Sequence, residues 1–98
     1  MRTTIQSIHF DADIKLLQFI EHKLAKLPQL FNHTLAAEVY LKLEKNDAKG
    51  NKIVEIKVSV PQSTLVASER GRTFEEATDL CLDQVKAQLK KFKEKMRD

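Results

Sequence analysis

Hydrophobic and polar positions alternate most regularly in the middle of the chain. Across residues 35–45, Ala37, Val39, Leu41 and Leu43 fall on one side of an extended backbone, and Glu38, Tyr40, Lys42 and Glu44 on the other. A period of two marks a half-buried strand. The pattern returns across residues 52–60, with Val54, Ile56, Val58 and Val60 on one face and Glu55, Lys57 and Ser59 on the other. The polar residues 46–51 between them include Gly50, so the two runs read as a hairpin. Pro61 has no N–H for a ladder and ends the second run. Residues 63–69 read as another strand, with Leu65 and Ala67 toward the core. Residues 3–10 are rich in β-formers and supply the first of four strands.

Two stretches change to a helical period. In the first, Asp11 or Asp13 caps a helix that runs to about residue 27. Leu16, Leu17, Ile20, Leu24 and Leu27 form its apolar face; Lys15, His22 and Lys26 lie opposite, Lys23 flanks them, and Phe19 leans to the polar side. Pro28 stops this helix or leaves one irregular turn, after which Leu30 and Phe31 fold back on the core. The second stretch, residues 73–97, repeats Ala77, Cys81, Val85, Leu89, Phe92 and Met96 at four-and-three spacing. Thr73 and Glu76 form a capping box. Glu75, Glu76 and Asp79 at one end and lysines at the other suit the helix dipole.

The order is therefore β-α-β-β-β-α. Strands and helices with one apolar face each are satisfied by an α+β fold: a four-stranded sheet with both helices packed on one face. The other sheet face is solvated and carries Tyr40, Lys42, Glu44, Glu55 and Lys57. A chain of 98 residues fits a single domain spanning 1–98.

The net charge of +3 is mild, but its distribution is not. Lys86, Lys90, Lys93 and Arg97 form a second stripe on the last helix, about 110° from the apolar one, with Lys91 and Lys95 nearby. Between residues 86 and 97 there are six Lys/Arg and one acid, Glu94. Such a row can neutralise successive phosphates of a polyanion. The plainer reading is a solvated helix end whose lysines suit the dipole. His22, Lys23 and Lys26 on the first helix favour the polyanion, because both helices on one sheet face make one basic surface. Arg70 and Arg72 are expected to extend it.

Other chemistry is poorly supported. His9, His22 and His33 lack metal-ligand spacing. With only Gly50 and Gly71 there is no glycine-rich phosphate loop. The lone Cys81 excludes an internal disulfide, fits a reducing cytoplasm, and sits on an apolar stripe as a core thiol. The carboxylates have capping and dipole roles. Tyr40 could stack a base from the sheet, although sheet-based RNA readers use several aromatics. No apolar run is long enough to span a bilayer. A binding protein is expected, with no enzymatic activity, cofactor, metal, membrane or small-molecule substrate. Residue chemistry alone leaves open a free double-stranded RNA-binding module and a protein-interaction domain that modulates a transcription regulator.

The segment order, together with FIEHKLAKL (19–27), VYLKLEK (39–45), ASERG (67–71), ATD (77–79) and QVKAQLK (84–90), resembles the short-form bacterial ribosome hibernation-promoting factors. These include the ribosome-associated inhibitor and are also called the sigma-54 modulation protein family. The resemblance implies a fold similar to a double-stranded RNA-binding domain. It also implies a protein that binds small-subunit rRNA in the decoding channel, occupies the space of mRNA and tRNA, and inhibits translation under stress or in stationary phase. Its matching positions nominate Lys23, Lys26, Lys42, Lys45, Lys86, Lys90, Lys91 and Lys93 as rRNA contacts. Because the sequence ends at Asp98, the resemblance is to members without a C-terminal dimerisation domain. Such members silence single ribosomes or rely on a separate ribosome-dimerising factor.

Overall fold

The computed structural model describes residues 1–45 and 50–96. The central hairpin forms where the alternation predicts, as β2 (Ala36–Leu43) and β3 (Lys52–Val60), after β1 (Arg2–Ile8) and before β4 (Ser63–Gly71). Val39 stands opposite Ile56, and Ile56 opposite Ala67, so one apolar row crosses three antiparallel strands. Ile5 continues that row from β1, which pairs with β2 in parallel. A parallel pair needs a crossover. Here α1 (Ile14–Leu24) and α2 (Leu27–Leu30) provide it. The sheet order is β1-β2-β3-β4.

The last helix, α3 (Phe74–Met96), lies over β3 and β4, and α1 sits beside it on the β1 side. Ile20, Leu24, Leu27, Ala77, Cys81, Val85 and Leu89 close over Val39, Leu41, Val54, Ile56 and Val58. The two long helices begin at the same end of the sheet, where Phe10 and Phe74 stack with ring centroids 5.2 Å apart. Asp13 Oδ1 accepts from the Lys15 N–H at 3.1 Å, and Thr73 Oγ1 from the Glu76 N–H at 3.0 Å. These caps satisfy backbone donors that a helix start leaves unpaired.

Several expected boundaries move. The first helix ends at Leu24, and Pro28 lies in the first turn of α2. Proline lacks the N–H that a continuing helix needs, but a first turn does not use it. Phe31 is buried as expected, whereas Leu30 stays 46% exposed. Phe19 turns inward and packs against the core. Leu43 keeps the inward phase yet is half exposed, being the last residue of β2 where the helices no longer cover the sheet. β1 stops at Ile8, before His9 adopts φ 66°. Arg70 and Gly71 belong to β4, not to the connection after it.

Candidate nucleic-acid interface

The polar residues of α3 form two rows, one on each side of its buried stripe. Asp79, Asp83, Lys86, Lys90 and Lys93 make the first, at four-and-three spacing. It faces α1 and α2. Asp79 pairs with Lys23 of α1 at 3.3 Å. Lys93 Nζ reaches the Leu30 carbonyl oxygen at the end of α2, 3.5 Å away. Lys86, Lys90 and Lys93 line a groove of about 330 Å3 with Leu30 and Leu89. The row therefore changes sign along the helix, acidic near the N-terminus and basic where the carbonyl end of the dipole favours cations.

Gln84, Gln88, Lys91 and Lys95 make the second row. It runs along β4, where Gln88 Nε2 donates to the Val66 carbonyl at 2.9 Å and the Gln84 amide donates to Glu69. Lys91 follows Gln88 by three positions, so it points away from the groove that holds Lys86, Lys90 and Lys93. A lysine adjacent in sequence is not adjacent on the surface.

The remaining candidates separate by face. His22 and Lys26 are exposed on the helix layer. Lys23 is half-buried; its ammonium sits 5.3 Å from the Phe19 ring centroid as well as against Asp79. Arg72 is exposed where β4 leads into α3, and Lys45 is exposed just beyond β2. Lys42 is in register with Ile53, and Ile53 with Arg70, on the sheet face away from the helices. Arg70 Nη1 donates to Glu44 Oε2 at 2.7 Å there. Arg70 therefore does not extend the helix surface as expected: still within the strand, it alternates to the opposite face from Glu69. Arg97 lies outside the described residues.

The open sheet face is not basic around its aromatic. The Tyr40 hydroxyl donates to Glu38 Oε2 at 2.7 Å, and Lys57 Nζ lies 5.5 Å from the ring centroid. The hydrogen bond to Glu38 is the main cause that raises the Tyr40 pKa, followed by desolvation and the charges of Glu38 and Glu55. A stacked nucleotide would bring its phosphates toward those carboxylates. Among the described residues, no group of three or more His, Cys, Asp or Glu side chains is placed to hold a metal ion. No helix among them is long and apolar enough to cross a membrane.

Sequence reasoning found the lysine row but missed its neighbour. Leu30 forms the groove wall opposite the lysines, and the available signal was Pro28, which suits the first turn of a new helix as well as the end of an old one.

A mixed four-stranded sheet covered on one face by two helices, with lysines gathered at the helix ends, defines a small α+β protein whose helix layer carries a basic groove. The chain belongs to the family described as Sigma 54 modulation protein / S30EA ribosomal protein, whose sequence model matches residues 3–97. A ribosome hibernation promoting factor of Pseudomonas putida is 29% identical over 97 residues, covering 99% of this chain and 91% of that protein. The fold is similar to a ribosomal subunit interface protein of Coxiella burnetii, with a TM-score of 0.83 and 24% identity over 95% of this chain and 98% of the other. It is also similar to the N-terminal domain of Protein Y of Thermus thermophilus, with a TM-score of 0.79 and 24% identity over 94% and 99% of the two chains.

Proposed function

We propose that this protein is a cytoplasmic ribosome hibernation factor. Its helix layer binds rRNA of the small subunit in the decoding channel, where the domain excludes mRNA and tRNA and halts translation in stationary phase or under stress. The observation that carries this reading is the convergence of Lys86, Lys90 and Lys93 on one groove in a chain of this family. The name of the Pseudomonas putida relative supports the hibernation role, and that of the Coxiella burnetii protein supports a place at a subunit interface.

The mechanism is occlusion, with no catalytic step. The ion pairs among the described residues are Lys23–Asp79 and Arg70–Glu44, which leaves the three groove lysines for phosphates. Cation–phosphate contacts supply affinity and position without reading base identity. Shape then selects the site, as is usual where proteins meet folded RNA.

Sedimentation with ribosomes on sucrose gradients tests the reading. The protein migrates with small subunits at low salt, leaves them at high salt, and is displaced by mRNA together with tRNA. Lys86→Ala/Lys90→Ala/Lys93→Ala lowers the steepness of log K against log salt by about 2–3, as expected for roughly one counterion per lost phosphate contact. Protein that stays at the top of the gradient at low salt sinks the proposal. Equal competition by a plain RNA duplex points instead to a free double-stranded RNA-binding module.

A further inference from the structure

A clamp for phosphates needs cations and nothing apolar between them, yet the groove beside the lysine row has an apolar lining. Leu30 is 46% exposed, while Leu27 at the start of α2 and Phe31 just after its end are buried. Leu30 and the buried Leu89 line the 330 Å3 groove with Lys86, Lys90 and Lys93. A second hollow of about 420 Å3 adjoins it, sharing Leu30 and Lys93 and bordered by Asn32 and His33. The Leu30 carbonyl, 3.5 Å from Lys93 Nζ, holds that ammonium at the boundary between the two. Long lysine stems add apolar surface below their charged ends.

A concavity of about 300–1,000 Å3 with apolar walls and a few placed polar groups has the dimensions of a small-ligand site. Duplex RNA has little to put there, since it presents phosphates and 2′-hydroxyls and keeps its base faces stacked inside. An unpaired nucleotide offers a flat, weakly polar base and an anionic backbone on either side. We infer that the groove takes one unpaired nucleotide of RNA, its base against Leu30 and Leu89 and its flanking phosphates on Lys86, Lys90 and Lys93. Charge complementarity selects the occupant: three ammonium groups around an apolar surface call for a ligand that is apolar in the middle and anionic at its edges. The inference rests on the rRNA-binding reading and narrows it, because part of the affinity then does not depend on salt.

The test uses the full chain with methyl-labelled leucines. It is titrated with a short single-stranded oligoribonucleotide, an abasic strand of the same length, an RNA duplex and an acidic leucine-containing peptide. The intact single strand shifts the Leu30 and Leu89 methyl signals. The abasic strand leaves them in place and binds about five- to tenfold more weakly. Leu30→Ser, at an exposed position, removes that difference without changing the salt dependence. Equal affinity for intact and abasic strands overturns the inference, as does a methyl response to the duplex or the peptide but not to the single strand. Ribosome co-sedimentation of the unaltered protein is measured in parallel. Its loss removes the functional reading, whereas co-sedimentation with indifference to the base removes this inference alone.

Discussion

Lys23 Nζ lies 3.3 Å from Asp79 Oδ1, so one of the candidate rRNA contacts already ties α1 to α3. The pair is partly solvated and contributes only about 0.5 kcal/mol to stability. Asp79→Asn removes an acid next to the basic surface and releases Lys23. Ribosome affinity is expected to rise about two- to fivefold at low salt, with the advantage shrinking as salt screens it. Binding isotherms at two salt concentrations check this. An Asp79→Asn protein that binds more weakly at both would place the Lys23–Asp79 pair among the features that the ribosome requires.

Gly71, the last residue of β4, lies close against the backbone at the start of α3. A Cβ there would lie 2.9 Å from the Ala77 backbone nitrogen and 3.1 Å from the Thr73 carbonyl oxygen. A Cβ on Gly50, whose φ is +89°, would come within 2.6 Å of the Gly71 carbonyl oxygen. Backbone cannot swing aside as a side chain can. Gly71→Ala is expected to cost about 1–3 kcal/mol, which for a chain of this size lowers Tm by roughly 5–20 °C. Gly50→Ala costs at least as much because φ strain adds to the clash. Thermal denaturation of both variants decides it, and an unchanged Tm for either would show that α3 or the hairpin can shift.

Gln62 follows Pro61 in the two-residue link from β3 to β4 and holds φ 66°, a left-handed value that a Cβ disfavours. Gln62→Gly relieves that cost and pays back part of it in chain entropy. A net gain of about 0.5–1 kcal/mol is expected. Denaturant midpoints measure it, and ribosome binding should not move.

Cys81 is fully buried, and its Sγ sits 3.2 Å from the Ala67 carbonyl oxygen. Burial pushes the thiol up to about 12 from its ordinary 9.0. The folded protein therefore holds this proton more tightly than the unfolded chain does. Its contribution to stability is complete below pH 9 and is lost as pH rises from 9 toward 12. Unfolding free energies at pH 8 and pH 10.5 should fall further for the unaltered protein than for Cys81→Ala. A thiol reagent at neutral pH should label the native protein only as fast as it opens. Rapid labelling of the folded state would contradict this burial.

Period-two alternation was enough to place Val39, Ile56 and Ala67 in one buried row, since a strand that slips by one residue exposes its whole apolar set. The lysine row of α3 was legible for the same kind of reason: helical spacing alone aligns Lys86, Lys90 and Lys93. What that row faces was not legible, because α2 has four residues and too little periodicity to announce itself. Arg70 was misplaced because the end of β4 depends on its pairing with Ile53, a tertiary fact. Leu43 kept its phase but lost its cover, because it is the last residue of β2, and what covers a strand end is a tertiary matter. The fold followed from local patterns, whereas the groove required knowing which elements meet.

The sign change along α3 has a kinetic consequence. Carboxylates near the start of α3 and ammonium groups near its end give the side chains of this helix an electric dipole of their own. Close to a polyanion, that dipole adds a torque to the attraction, and the torque favours an approach with the lysine end of α3 forward. Productive collisions then become a larger share of all collisions. A variant with Glu75→Gln and Glu76→Gln would carry more net positive charge and yet arrive less well aligned, so its association rate would rise less than its charge predicts.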